Sequence, residues 1–488
     1  MAVIEHVDVV LVGAGISGLG FAHHLKEQCA SKSFLILEQK STHGGTWELH
    51  KYPGIRSDSD LYTFGYRFKP WTGAPIANGD VILNYLAEVI EEDELDQHIR
   101  YGHKISAANW SSTDQKWTLD VLRVDADEPV QITCSFFVWT GGYYDHEHAY
   151  TPDWLGFSDF EGEIVHPQFW PESIDLKDKR VIVIGSGATA ATLIPNICDD
   201  CEHVTMLQRS PTYFWTDANK NELADRLRLL ELPEEWIHET VRRDLLQTQK
   251  EVQHGAAQYP DFVKEELLQV VRDHVGEDVA AKHFTPSYRP WQQRLAFVPD
   301  GDLFKAVKDD RASVVTDHIE SFTSNGIRLK SGEELTADII VTATGFNLLA
   351  LGGISYTVDG EHFKPSEAFT HRGIMVSDLP NFAMIFGYLR TSWTMRVDLV
   401  ADYLCRLLNH MDSKDAREVV PKLRAEDVEM PRNRWIAEDE FNPGYMQRAA
   451  HMMPNSGDRD PWRFSPDYYE EKDKMPDFDL DDATLKYD

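Results

Sequence analysis

Two loops in this chain have the glycine spacing that receives a dinucleotide pyrophosphate. The first, Gly13-Ala-Gly15-Ile-Ser17-Gly18, follows the apolar run VDVVLV; the second, Gly185-Ser186-Gly187-Ala188-Thr189-Ala190, follows RVIVI. In such a loop the first glycine permits a tight turn and the second lets phosphate approach the backbone. The third position keeps the next helix close to the strand, and phosphate charge meets the helix N-terminus. The spacing alone is weak evidence, but both copies have the required context. A helical stretch follows each, to Leu25 and to Ile197, and then a second strand with a polar end: SFLILE reaches Glu38, and HVTMLQRS reaches Arg209 and Ser210. Each copy reads as a βαβ unit, which predicts an α/β chain with two Rossmann-like dinucleotide-binding domains.

The two polar ends differ in sign, and that separates their ligands. Glu38 can accept hydrogen bonds from a ribose diol and would repel a 2′-phosphate, so the first unit suits FAD or NAD. Arg209, with the Ser210 hydroxyl, can hold a 2′-phosphate through charge-assisted hydrogen bonds, so the second suits NADPH. Together they describe a flavoenzyme reduced by NADPH. The segment after the first unit, HGGTWELHKYPGIRSDSD, refines this. Gly44 and Gly45 allow close backbone approach, Thr46 offers a hydroxyl, and Trp47 offers a flat face where flavin disulfide reductases carry a redox cysteine pair. Dithiol chemistry is disfavoured, leaving oxygen or a free acceptor as the electron sink. The one CxxC, Cys198-Asp-Asp-Cys201, falls where a helix should end, so nothing lowers its thiol pKa and two aspartates oppose ionisation; it reads as a surface turn.

A chain of 488 residues is long enough for two or three domains. With 42% hydrophobic and 26% charged residues it reads as an ordinary globular protein. A net charge of −33 would repel nucleic acid and anionic lipid and serves solubility; no partner is read from it. No apolar run suggests a membrane span or signal peptide, and five scattered cysteines fit a reducing cytoplasm. No cluster suggests a metal. Residues 1–145 and 341–488 are expected to form the FAD-binding domain in two parts and 146–340 the NADP-binding domain, with chain crossings at FFVWTGGYY and IIVTATGF. A helical insert at about 221–283 reads equally as a lid or wall for a substrate cavity and as a solvated appendage. Downstream, Trp393, Val397, Val400, Leu404, Leu407 and Met411 mark one apolar helix face with Ser392 as N-cap. The acidic end, EEKDKMPDFDLDDATLKYD, reads as a solvated tail.

Between the two units lies Phe160-x-Gly162-x-x-x-His166-x-x-x-Trp170-Pro171, a pattern without helical or strand periodicity. It resembles the fingerprint of the class B flavoprotein monooxygenases, and within them the Baeyer–Villiger monooxygenases. The similarity extends over essentially the whole chain, and GGTWELHKYPGIRSDSDLYTFGYRFKPWTG, IGSGATA and TMLQRSPTY are similar to the ethionamide-activating branch. The resemblance implies FAD contacts from Ser17, Glu38, Thr46, Trp47, Glu48, Leu49, Asp58 and the Ile105 region. It implies NADP contacts from Arg56, Ser57, Asp58, residues 185 to 191 (through Ala191), Arg209 and Ser210. It also implies a catalytic arginine, Arg294 in PWQQRLAFVPDGDLF, oriented by Asp58. Ser57 departs from the cysteine of many relatives, and FFVWTGGYY from a plainer Ala-Thr-Gly crossing.

The activity so implied is an NADPH- and O2-dependent oxygen insertion beside a ketone carbonyl, through a flavin C4a-peroxide, to give an ester or lactone, with sulfides as further substrates. Both the peroxide and its ketone adduct are anionic, which is why a fixed guanidinium belongs at the flavin. Two alternatives stand beside this: electrophilic oxygenation at sulfur or nitrogen, and a flavoprotein redox sensor or electron carrier that oxygenates nothing.

Overall fold

The computed structural model describes residues 5–438, 441–464 and 466–488. Its largest element is a nine-stranded sheet whose centre is Glu5–Val12. Val9, Val10 and Leu11 are fully buried, as a strand covered on both faces requires. Phe34–Leu37 and Glu128–Trp139 pair with it in parallel, Val9 aligning with Phe34 on one side and Phe136 on the other. An antiparallel meander of His103–Ser111, Lys116–Arg123 and Glu128–Trp139 extends the sheet, and Trp110 and Trp117 pack beneath it with Phe137 and Tyr356. The second sheet has five parallel strands in the order Ala312–Thr316, His203–Gln208, Arg180–Ile184, Ile339–Thr342, Glu163–Val165. Two Rossmann-like units are thus present, each strand–loop–helix–strand.

Four helices precede the second sheet: α1 (Ile16–Gln28), α2 (Thr46–Leu49), α3 (Leu61–Phe64) and α4 (Gly79–Glu92). With the second sheet come α5 (Ala188–Ile197), then α6 (Glu222–Leu229), α7 (Glu234–Gln258), α8 (Pro260–Val275), α9 (Glu277–His283) and α10 (Asp302–Lys308). Helix α11 (Thr394–Ser413) returns to the first sheet and packs on α1. The predicted stripe on α11 is core: Val397, Val400, Leu404 and Leu407 are fully buried, with Met411 nearly so.

The two chain crossings bond to each other. Tyr144–Ala149 pairs antiparallel with Phe346–Leu348, and the Thr344 hydroxyl donates to the Tyr150 carbonyl at 2.7 Å. The aperiodic connector contains a three-residue edge strand, Glu163–Val165, and a 3-10 turn at Pro167–Phe169. His166 Nδ1 accepts from the Gln168 N–H that opens this turn, and burial lowers the imidazole pKa. A side chain at Gly162 would stand 2.4 Å from the Asp338 carbonyl, so the connector is pressed against its neighbour there.

Three expectations are corrected. Ser392 does not cap α11: Trp393 occupies that position, and the Ser392 hydroxyl instead meets the Thr63 hydroxyl at 2.6 Å. The acidic tail is not a solvated appendage. Glu471 ion-pairs with the buried Arg396, Met475 and Leu485 enter the core, and Leu485–Tyr487 pairs with Val419–Pro421. Cys198 lies in the expected turn after α5 but is buried, because the turn folds beneath the second core; burial raises its pKa and pushes Cys201 up to about 12.

Candidate functional site

A cavity of about 1720 Å³ opens where the first glycine loop, the 44–60 segment and the insert meet. Gly13, at φ +95°, makes the turn that leads into α1. Gly18 is held by packing: a Cβ there would lie 2.0 Å from the Gly13 carbonyl oxygen and 2.9 Å from the Thr140 hydroxyl. Gly13, Gly15 and Ser17 line one wall, with Gly44, Gly45, Thr46 and Trp47 facing them; Gly15 and Gly45 are so close that a Cβ on either meets the other's Cα at 3.3 to 3.5 Å. Two loops stripped of side chains at one point form a cradle that a pyrophosphate fits.

Glu38 closes one end of the cavity. Its carboxylate is 5% exposed and accepts from the Ala14 and Lys40 N–H groups, both at 2.8 Å. Burial raises its pKa, and those backbone bonds oppose the rise. Ile105 also lines this end. At the other end stand Ser57, Asp58 and Asp60, with Phe64, Tyr143, Tyr144 and Trp393 as aromatic walls. The donor set and shape fit FAD: a glycine cradle for phosphates, an acid for a ribose, and ring faces for the isoalloxazine.

The Arg294–Asp58 pair, expected from the sequence to carry the chemistry, lies at this second end. Arg294 donates to Asp58 through Nε at 3.1 Å and Nη2 at 2.7 Å, a fork that fixes the guanidinium plane. Asp58 follows α2 on the first-sheet side, and Arg294 follows α9 on the second, so the pair bridges the two halves. The Asp58 carboxylate, the largest influence on it, raises the Arg294 pKa beyond its ordinary range. Both residues line the cavity, toward which the guanidinium's remaining donors are open. The segment that carries Asp58 is anchored in the other core: Tyr52 is buried among second-sheet residues.

Arg56 and the second loop lie outside the cavity lining, as do Gly18, Glu48 and Leu49. Arg56 forms a bidentate ion pair with Asp302 at the start of α10, 2.5 Å at its shorter contact, and Glu48 pairs with Lys51. The second loop opens α5 on the surface. Nothing lies within 4 Å of where a Gly187 Cβ would be, and the Ser186 hydroxyl donates to the Ser210 carbonyl at 3.0 Å, joining the loop to the strand end. Ala188, Thr189, Ala190 and Ala191 form the first turn of α5, while Arg209 and Ser210 are exposed. Arg209 has no ion pair among the described residues. An open helix N-terminus beside a free guanidinium and a hydroxyl fits the phosphates of NADP.

Sequence reasoning missed Asp60 and left the insert open between a cavity wall and a solvated appendage. Asp60 caps α3, its carboxylate accepting from the Tyr62 N–H at 2.8 Å; burial pushes its pKa up to about 7 against that bond. The repeated Ser-Asp in RSDSD was the available signal. From the insert, Leu245, Thr248, Gln249 and Val252 of α7 and Phe262, Val263 and Leu267 of α8 line the cavity, which makes the insert a wall.

The pyridine nucleotide-disulphide oxidoreductase family matches residues 10–302. All five cysteines are free and none lines the cavity, so the disulphide half of that description has no counterpart here. The chain is 44% identical to the FAD-containing monooxygenase EthA of Mycolicibacterium smegmatis, over 99% of this chain and 95% of that one. It is 43% identical to EthA of Mycobacterium tuberculosis, over 99% and 98%. Its fold matches an oxidized steroid monooxygenase bound to NADP, with TM-score 0.78 at 22% identity over 99% of both chains. It also matches an open crystal structure of cyclohexanone monooxygenase, with TM-score 0.75 at 19% identity over 99% of this chain and 100% of that one. A glycine cradle with its ribose acid, a cavity without a dithiol and whole-length identity to EthA lead to one conclusion: the chain belongs to the FAD-containing monooxygenases, in the class B flavoprotein family that its connector motif resembles.

Proposed function

We propose that this monooxygenase uses NADPH and dioxygen to convert ketones into esters or lactones, and oxidises sulfides as a second substrate class. The observation that carries the reading is the Arg294–Asp58 fork at the aromatic end of the cavity, opposite the phosphate cradle. On this reading residues 1–145 and 341–488 hold FAD and 146–340 hold NADP. Bound FAD, once reduced by NADPH, supplies the oxygen-activating chemistry.

The chain's own residues do the rest. Gly13, Gly15, Gly44 and Gly45 seat the pyrophosphate, Glu38 meets the adenosine ribose, and Trp47 and Trp393 flank the ring system. Arg294 presents N–H donors where negative charge develops on oxygen at the attacked carbonyl, and a guanidinium keeps its charge throughout. Asp58 holds the plane of those donors and offsets part of their charge. The aromatic walls keep water away, which strengthens each of these interactions. Arg209 and Ser210 hold the 2′-phosphate of NADPH at the surface. Purified protein is expected to be yellow, with one non-covalently bound FAD. A panel of ketones and sulfides, with NADPH consumption followed optically and products identified by mass spectrometry, tests the assignment. Ester formation coupled to NADPH loss is expected; sulfoxide without ester from any ketone would replace this reading with electrophilic oxygenation, and NADPH loss indifferent to added substrate would replace it with an electron carrier.

A further inference from the structure

By chain order α6 to α9 form one insert in the second-sheet half, yet they divide between two cores. Ala224 of α6 and Ile237 and Val241 of α7 are fully buried among residues of α1, α4 and α11, beneath the first sheet. Val271 of α8, Ala280 of α9 and Phe284 are buried in the second-sheet core. Where α7 leaves the first core stands Arg242, 6% exposed. Its Nη1 donates to the carbonyls of Tyr62 at 2.9 Å, Thr63 at 3.1 Å and Gly65 at 3.1 Å. These are carbonyls at the end of the four-residue helix α3, where helical partners run out. Its Nη2 lies 3.8 Å from Asp398 Oδ2, a buried oxygen with no hydrogen bond of its own. A buried cation held by three carbonyls and one carboxylate resists displacement, because no water can take over those contacts.

Arg242 joins two walls of the cavity. On one side is the segment it grips: the Thr63 hydroxyl meets that of Ser392, the Thr394 hydroxyl donates to the Phe64 carbonyl at 2.7 Å, and Trp393 Nε1 donates to Ser17 Oγ at 2.8 Å. Asp60, Phe64, Ser392, Trp393 and Ser17 all line the cavity. On the other side is α7 itself, whose Leu245, Gln249 and Val252 fall on one helical face directly after Arg242 and line the cavity opposite.

We propose that Arg242 is a positioning residue for the oxygenation: it fixes the α7 wall against the flavin-side wall of α3 and the start of α11, and so sets where a bound ketone lies. The proposal rests on the reading of this cavity as the FAD and ketone site. It is tested with R242M and R242K in the full-length, FAD-loaded protein. R242M should retain FAD and still oxidise NADPH, while the KM for ketone rises about tenfold or more and ester formed per NADPH falls, since misplacement near one ångström costs up to about a hundredfold. R242K should recover part of the loss, because an ammonium meets fewer carbonyls at once. Hydrogen exchange gives a readout independent of turnover: amides of 61–66 and 242–252 should exchange faster in R242M, while those of α8 and α9 keep their protection. Faster exchange with an unchanged ketone KM and unchanged coupling overturns the proposal by making Arg242 structural only, and unchanged exchange overturns it directly. If R242M does not fold, R242K decides alone, and a wild-type KM with wild-type exchange overturns it. Wild-type protein that forms no ester from any ketone would instead remove the reading of the reaction, leaving the exchange result to stand on its own.

Discussion

The two glycine loops share a spacing and differ in enclosure. Around the first, Gly13, Gly15 and Ser17 face a cavity roofed by aromatic rings, and Glu38 is sealed into it with both carboxylate oxygens engaged by backbone. Around the second, Gly187, Arg209 and Ser210 are exposed, and Arg209 has no ion pair among the described residues. One backbone device therefore stands in two settings, enclosed and open. On the proposed reading, burial of apolar surface and of hydrogen bonds would slow departure from the first loop, whereas the second would hold its ligand by charge at an open surface. The bridge between them is the 44–60 segment, which carries Trp47 and Asp58 at the cavity and buries Tyr52 in the other core.

The largest effect should come from the residue that joins the two halves at the chemistry. Arg294→Ala is expected to keep FAD and to be reduced by NADPH, since that step develops no oxyanion, but to lose ester formation by on the order of a hundred- to thousandfold and to release hydrogen peroxide instead. Stopped-flow reduction beside ester and peroxide assays separates the two halves. Ester formation at the wild-type rate would strip Arg294 of its role. Asp58→Ala, which leaves the guanidinium present but unaimed, should reduce both half-reactions more modestly.

Next in size is the open loop. Arg209→Ala should weaken NADPH by about ten- to a hundredfold, the range of one hydrogen-bonded charge pair, and leave NADH nearly unchanged. Steady-state KM values for the two nucleotides measure it. Equal losses would mean that Arg209 supports the strand end and does not read the phosphate, and the contrast between a charge-held and a burial-held site would fail.

Both loops were legible from sequence because their determinants are local: glycines at fixed offsets, an apolar strand before, a polar residue at the next strand's end. The observed strands Glu5–Val12 and Arg180–Ile184 begin within two residues of the runs read from the sequence, and α5 ends at Ile197 as expected. What was not legible depends on partners far along the chain. The acidic tail looked solvated because its composition is polar, yet Glu471 neutralises Arg396 inside the core, a pairing no spacing rule shows. Ser392 fits an N-cap by type and place, and loses that role to a hydroxyl contact with Thr63, 329 residues away. Arg56, which the resemblance assigns to NADP, also pairs with Asp302, 246 residues away, a partner no local spacing shows. The insert's division between two cores was invisible for the same reason: periodicity shows that α7 has an apolar face but not which core receives it.

The smallest effect concerns the helices that follow the two loops. α5 carries Pro195 in its interior, whereas α1 is tied to α11 by a buried ionic cluster. His24, 3% exposed, places Nε2 3.0 Å from Asp398 and Nδ1 3.2 Å from Asp402. Burial alone would lower its pKa, but hydrogen bonds and charge from the two carboxylates carry it up to about 9. Asp402 also bonds Gln28 and Arg67, and Asp398 faces Arg242, so His24, when protonated, is the third cation of the cluster. Because the folded pKa lies above the unfolded value of about 6.5, the contribution to stability is complete below that value and is lost as pH rises through about 9. His24→Gln should therefore lower the melting temperature by several degrees at pH 6, and the gap from wild type should close by pH 10 while turnover at neutral pH stays near normal. Melting curves of the FAD-loaded protein at pH 6, 8 and 10 check this. A gap that does not change with pH would show that His24 is buried neutral and that α1 is held by packing alone, which would remove the ionic distinction between the two loop helices.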